Sequence, residues 1–252
     1  MPARGRLYLV PAPLDFGCAE QVPLGEVMPV QVLAVAARLD SWICENAKST
    51  RAYLKRIDAV VPLTTPVQGQ QIVELPREVH KKGDHGGTFD AAPLLAPAMA
   101  GRDVGLLSEA GMPAIADPGS SVVRSAHKLG IEVVPLVGPV SLMLALAASG
   151  LGGQNFAFQG YLPQQPAERA TRIRELEALA LKSGQTQLFI ETPYRNAALL
   201  AALLASLKPD TWLALSWGLT LGSGGSHSRA VRDWRRSPVT APEAPAVFAI
   251  GR

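Results

Sequence analysis

The stretch Val104 to Gly119 constrains this chain more than any other. An apolar run, Val104 to Leu107, reads as a buried strand bounded by Gly101 and Gly111. A long turn rich in glycine, proline and alanine follows, and a helical pattern begins after it. Asp117 is expected to cap that helix, with Pro118 in its first turn and Gly130 beyond its end. A capped connection accounts for Asp117 to Gly119, but for neither the carboxylate of Glu109 nor the length of the turn. Small side chains at Ala110, Gly111 and Ala114 would let a ligand reach the backbone at a strand's carboxyl end, where open α/β sheets bind their ligands.

The rest of the chain repeats this alternation. Strands are expected at Leu7 to Val10, Trp42 to Cys44, Ile131 to Val137, Phe156 to Phe158, Gln187 to Glu191, Trp212 to Trp217 and Ala246 to Ile250. Helices are expected at Val30 to Leu39, Lys48 to Arg56, Ala91 to Met99, Ser141 to Ser149, Ala167 to Leu181 and Tyr194 to Leu207. Gln68 to Thr88 reads as a polar, Gly-containing stretch, and Leu221 to Ser228 as a Gly/Ser-rich loop. Strand and helix in turn favour mostly parallel sheets. The Gly-rich Ser149 to Gly153 is the expected linker, which divides the chain into α/β domains at 1–150 and 151–252.

Composition sets broad limits. Of 252 residues, 48% are apolar and 18% charged, enough for a sizeable core and too few charges for a disordered chain. The net charge of +3 permits an RNA partner without demanding one. Basic clusters stand at Lys48–Arg51–Lys55–Arg56, Arg77–Lys81–Lys82 and Arg232–Arg235–Arg236. Cys18 and Cys44 form no CxxC pattern, which suggests neither a disulfide framework nor a thiolate zinc site and points to the cytoplasm. Val133 to Leu151 is almost free of charge, but Pro135, Gly138 and Pro139 break it, and a strand followed by a buried helix is expected there rather than a membrane span. His80 and His85, with Asp84 or Asp90, match no zinc spacing and read as a polar loop, so no metal is expected. Phosphate loop, dinucleotide fingerprint, nucleophile elbow and HExxH motif are all missing.

Five ordered segments carry a resemblance. SEAGMPAIADPG, from Ser108 to Gly119, resembles the signature of the tetrapyrrole methylase superfamily of S-adenosylmethionine-dependent methyltransferases. It is most similar to the branch that methylates a ribose 2′-hydroxyl in small-subunit ribosomal RNA, where the loop reads SDAGTPxISDPG. Arg6 to Pro13 resembles that family's opening strand and loop. Val137 to Ala145 resembles its PGPSA segment, Phe156 to Pro163 its FxFxGFLP, and Phe189 to Arg195 its YESPHR.

The resemblance implies two α/β domains with S-adenosylmethionine in the cleft between them. It implies cofactor contacts at Pro11 and Pro13, at Glu109, Ala110, Gly111, Met112, Pro113, Ala116, Asp117, Gly119 and Ser120, and at Pro139 and Ser141. Further contacts are implied at Tyr161, Leu162, Thr192, Pro193 and Thr220. Methyl transfer to a hydroxyl needs a positioned nucleophile and a group to take its proton, and Glu45, Lys48 and Glu109 are the catalytic candidates. Where the branch reads AEDTRHT this chain has Cys44-Glu-Asn-Ala-Lys, and Gly222 to Ser226 replaces an acidic turn after Thr220. These departures mark a divergent paralogue. The expected function is RNA methylation at a ribose 2′-oxygen of small-subunit ribosomal RNA. The alternatives are methylation of a tetrapyrrole-like small molecule and a non-catalytic module binding cofactor or RNA. The relatives imply a homodimer.

Overall fold

The computed structural model describes residues 3–82, 89–237 and 239–252. It separates into two compact units, Met1–Val140 and Ser141–Arg252.

The first unit is a five-stranded parallel sheet. Its strands are β1 (Leu7–Leu9), β2 (Ser41–Cys44), β3 (Gln71–Glu74), β4 (Val104–Leu107) and β5 (Val133–Pro135), in the order β3-β2-β4-β1-β5. Between them run α1 (Leu24–Val27), α2 (Val30–Arg38), α3 (Ala47–Asp58), α4 (Arg77–Lys82), α5 (Ala96–Met99) and α6 (Ser120–Lys128). Every residue of β2 and β4 is buried, as in a parallel sheet covered on both faces. Alternate residues therefore enter different cores. Tyr8, Trp42 and Cys44 meet Leu33, Ala36, Leu54 and Ile57 of α2 and α3. Leu7, Ile43, Val104 and Leu106 meet Leu95, Ala98, Val122 and Ala126 on the other side. Gly105 is required by this packing, since a β carbon there would sit 2.5 Å from the Trp42 ring.

The second unit opens with α7 (Ser141–Ser149) and contains β6 (Phe156–Tyr161), α8 (Pro166–Ser183), β7 (Thr186–Glu191), α9 (Asn196–Ser206), β8 (Trp212–Trp217), β9 (Gly225–Ala230), α10 (Val231–Arg236) and β10 (Ala246–Gly251). Its sheet runs β6-β7-β10-β8-β9; β6 and β7 are parallel and the remaining pairs antiparallel. Phe189 and Phe248 stack at 5.8 Å between neighbouring strands, and Ile173, Leu176, Leu199 and Leu203 of α8 and α9 complete the core.

Several expectations change. The first sheet is wholly parallel, but the second is mostly antiparallel. The polar stretch Gln68 to Thr88 contains β3 and α4, and the Gly/Ser-rich loop includes most of β9. The expected helix Ala91 to Met99 is two short turns, 3-10 at Ala92–Leu95 and then α5, each with proline at its start. Gly150 turns the chain with a positive φ between α7 and β6, and α7 packs on β8, β9 and β10, so the compact units divide at Val140 rather than at residue 150. Most of the loop holding Asp84 and His85 lies outside the described residues. Among the described residues, no helix is long and apolar enough to cross a membrane and no His, Cys, Asp and Glu group could hold a metal ion.

Candidate active site

In the first unit the carboxyl ends of β1, β2 and β4 bring most of the expected residues together. Ala12 and Gly111 exchange backbone hydrogen bonds at 2.9 and 3.0 Å, which ties the loop after β1 to the loop after β4. Pro11 accepts a 3.0 Å hydrogen bond from the Tyr53 hydroxyl of α3. Pro139 flanks the same bridge, its carbonyl 3.6 Å from where a β carbon on Gly111 would stand. Pro13, Lys48 and Glu109 line one cavity of about 450 Å³ with Ser108, Asn46 and Phe16. Glu45 stands behind them. Its carboxylate accepts from the Glu109 backbone N–H at 3.3 Å, and its own N–H donates to the Leu107 carbonyl. Glu45 thus holds the end of β4 to the end of β2.

The loop from Ala110 to Gly119 is built on left-handed backbone. Gly111, Ala114, Ala116 and Gly119 have φ of 70°, 67°, 64° and 136°. The Ala114 N–H donates to the Pro118 carbonyl, and Ile115 to Met112, which closes the loop on itself around Pro113. Ala114 and Ala116 thus adopt a conformation that costs non-glycine residues free energy.

Asp117 is not the N-cap residue of α6. The helix begins at Ser120, with Gly119 in that position. Gly130 does lie beyond its end with a φ of 64°. The Asp117 carboxyl is instead pushed up to about 7, first by burial and then by the charges of Glu45 and Glu109. Three carboxyl groups thus share one strand-end region, an arrangement that favours a cationic ligand.

Asn46 stands where the family has Asp, and the structure gives it a local task. Its Oδ1 accepts from the N–H groups of Lys48 and Ser49 as the N-cap of α3. Arg56 leaves the basic cluster of α3. It makes a bidentate pair with Asp15 at 2.8 and 2.9 Å and donates to the Val22 carbonyl, pinning the loop after β1. In the last basic cluster Arg232 pairs with Asp210, and Arg235 donates to the Leu204 and Leu207 carbonyls at the end of α9.

The second unit holds the remaining candidates. Ser141 starts α7, and Leu162 is buried in the core, with no side-chain surface to offer a ligand. Tyr161 ends β6, half exposed, its ring beside the Arg195 guanidinium, which also pairs with Glu191 at 2.7 Å. Thr192 donates its N–H to Glu191, and Pro193 begins a 3-10 turn. Thr220 is a β-branched residue with a φ of 79°, and its buried hydroxyl has no hydrogen-bond partner among the described residues.

Two site features escape sequence reasoning. Ser108 sits inside the matched signature, so its place was available, but its unsatisfied hydroxyl was not. Phe16 carries no motif and emerges only from the turn Leu14 to Gly17.

A family model of the Tetrapyrrole (Corrin/Porphyrin) Methylases matches residues 28–221. The chain belongs to the tetrapyrrole methylase family. Members of this family use S-adenosyl-L-methionine as methyl donor. Ribosomal RNA small subunit methyltransferase I of Mesorhizobium japonicum is 31% identical over 219 residues, covering 87% of this chain and 65% of that protein. The protein of the same name from Escherichia coli O157:H7 is 29% identical, covering 86% of this chain and 66% of its own length. This chain thus spans just under two thirds of these relatives. The fold is shared with uroporphyrin-III-C-methyltransferase from Thermus thermophilus, at a TM-score of 0.54 and 20% identity over 98% of this chain and 94% of that one. It is shared also with the methyltransferase CobJ, at a TM-score of 0.57 and 16% identity over the same shares.

Proposed function

We propose that this protein is an S-adenosylmethionine-dependent methyltransferase acting on RNA, at a ribose 2′-oxygen of small-subunit ribosomal RNA. The observation that carries the reading is the loop after β4, whose left-handed backbone holds the half-buried Asp117 carboxyl beside Glu45 and Glu109. A sulfonium cofactor is cationic, and this region is rich in carboxyl groups, so the residues fit it. The loop Ala110 to Ser120, together with Pro11 and Pro139, would hold it on the first unit; Ser141, Tyr161, Thr192, Pro193 and Thr220 are the candidates on the second.

When bound, S-adenosylmethionine supplies a methyl group already activated by its positive charge. The chain must then orient a hydroxyl and manage its proton. Glu109 lines the cavity and is the group assigned to take that proton. Lys48 lines the same cavity and would stabilise negative charge developing on the oxygen. Glu45 acts through Glu109 as a positioning residue. The names of the relatives supply the substrate class.

The test is transfer of labelled methyl from S-adenosylmethionine to total RNA, to small-subunit ribosomal particles and to a tetrapyrrole extract. Label is expected in RNA, resistant to alkali at the modified ribose. Label confined to the tetrapyrrole extract would replace the substrate class, and label nowhere would favour a binding module. Lys48→Ala is expected to lower turnover at least tenfold while leaving affinity for S-adenosylhomocysteine within about twofold.

A further inference from the structure

We propose that the cavity beside the loop after β4 is a nucleobase pocket, in which a base of the RNA substrate stacks on Phe16 and hydrogen-bonds Ser108. The proposal deepens the RNA methyltransferase reading and rests on it. The cavity belongs wholly to the first unit and lies where β1, β2 and β4 end. Its volume of about 450 Å³ falls within the range of roughly 300–1,000 Å³ that small-molecule pockets occupy.

Three features of the lining select the occupant. The first is an aromatic wall. Phe16 is 46% exposed although it sits in a tight turn, and an aromatic face left in water beside a cavity is what unpaired bases stack on. The second is an unsatisfied polar atom. Ser108 is only 3% exposed and its Oγ has no hydrogen-bond partner among the described residues. A hydroxyl both donates and accepts, which suits the mixed edge of a base, and a buried one without a partner is costly to keep. The third is charge. Two cations line the cavity, Lys48 and Arg56, and Arg56 is neutralised by its bidentate pair with Asp15. With that pair set aside, the lining keeps one charge of each sign, Lys48 and Glu109, and such a balanced wall suits an uncharged ring. A tetrapyrrole bears several carboxylates and would call for several cations.

The test uses the full chain saturated with S-adenosylhomocysteine and titrated with AMP, GMP, CMP, UMP and ribose 5-phosphate. At least one nucleotide is expected to bind tenfold or more tightly than ribose 5-phosphate, and Phe16→Ala is expected to abolish that margin. Ser108→Ala is expected to weaken nucleotide binding at least threefold while its thermal midpoint stays level or rises, because an unpaired buried hydroxyl has been removed. A merely structural serine would lose both together. Ribose 5-phosphate binding as well as all four nucleotides would overturn the pocket, and so would nucleotide affinity unchanged by Phe16→Ala. Competition between nucleotides and S-adenosylhomocysteine would overturn it too, by giving the cavity to the cofactor. Methyl transfer to RNA that both variants leave intact would remove the pocket and keep the function. Nucleotide binding that depends on Phe16, with no methyl transfer to any RNA, would keep the pocket and remove the function.

Discussion

At the scale of single residues, the site is marked by groups held in costly states. Thr220 is the sharpest case, since a β-branched side chain at a φ of 79° carries strain of about 1–3 kcal/mol. Replacing it with glycine relieves that strain and loses part of the gain to the freer unfolded chain. Thr220→Gly is therefore expected to stabilise the fold by about 1 kcal/mol, a rise of a few degrees in thermal midpoint. The same change should weaken binding of S-adenosylhomocysteine, because the unpaired hydroxyl is lost. A drop in midpoint would show that the threonine is held by packing instead. Asp117 gives a pH signature. With its carboxyl near 7 in the folded chain, against about 4 for an exposed aspartate, the folded state holds the extra proton between those values. Stability then falls as pH rises from about 4 through 7 and levels off above. Asp117→Asn should flatten this decline, so midpoints measured at pH 5 and pH 8 should lie closer together than in the unaltered protein. An equal or steeper decline would mean the carboxyl titrates as an ordinary aspartate. Gly111 is a poor probe of the cofactor by contrast. Its φ of 70° and its paired backbone mean that any side chain there strains the fold as well.

At the scale of elements, legibility followed burial. The strands β2, β4, β7, β8 and β10 are apolar runs because both of their faces are covered, and the sequence displays them directly. The strands absent from the sequence pattern are β3 and β9, which lie at sheet edges, β3 largely exposed and β9 only partly buried. Most of β9 falls within the stretch Leu221 to Ser228 that reads as a Gly/Ser-rich loop, because its ladder bonds to β8 leave no trace in side-chain pattern. The start of α6 lies later than the sequence suggests. Asp-Pro-Gly looks like a cap, yet the left-handed turn carries the chain past Asp117 before the helix begins. The cap of α3 is hidden in the sequence because Asn46 stands inside a motif where the family has Asp. Asn46→Ala should cost about 1 kcal/mol through loss of two backbone partners. Asn46→Asp should keep the cap and add a favourable charge at the helix start. If that variant also leaves turnover unchanged, the family's Asp serves this position as a cap; a large gain in turnover would give it a chemical role.

At the scale of the whole chain, resemblance of fold and identity of substrate separate. The solved relatives at 20% and 16% identity share the architecture, and architecture alone does not choose between a tetrapyrrole and an RNA. The motifs around β1, β2 and β4 support the RNA reading proposed above, and they fall within a unit that has its own two-sided core. The second unit also has its own core, and its limits follow from α7. Leu142, Ala145 and Leu146 of that helix are buried, α7 packs on β8, β9 and β10, and the Ser149 carbonyl accepts from the Ser228 hydroxyl. Burial of the two leucines stabilises the unit by about 1.5–3 kcal/mol each at most, a large share of the roughly 5–15 kcal/mol by which domains are stable. A fragment starting at Ser141 is therefore expected to unfold cooperatively in urea, whereas one starting at Leu151 should lack a sharp transition. Equal cooperativity in the two fragments would show that α7 is dispensable to this sheet, and would move the boundary back to the glycines at 150–153.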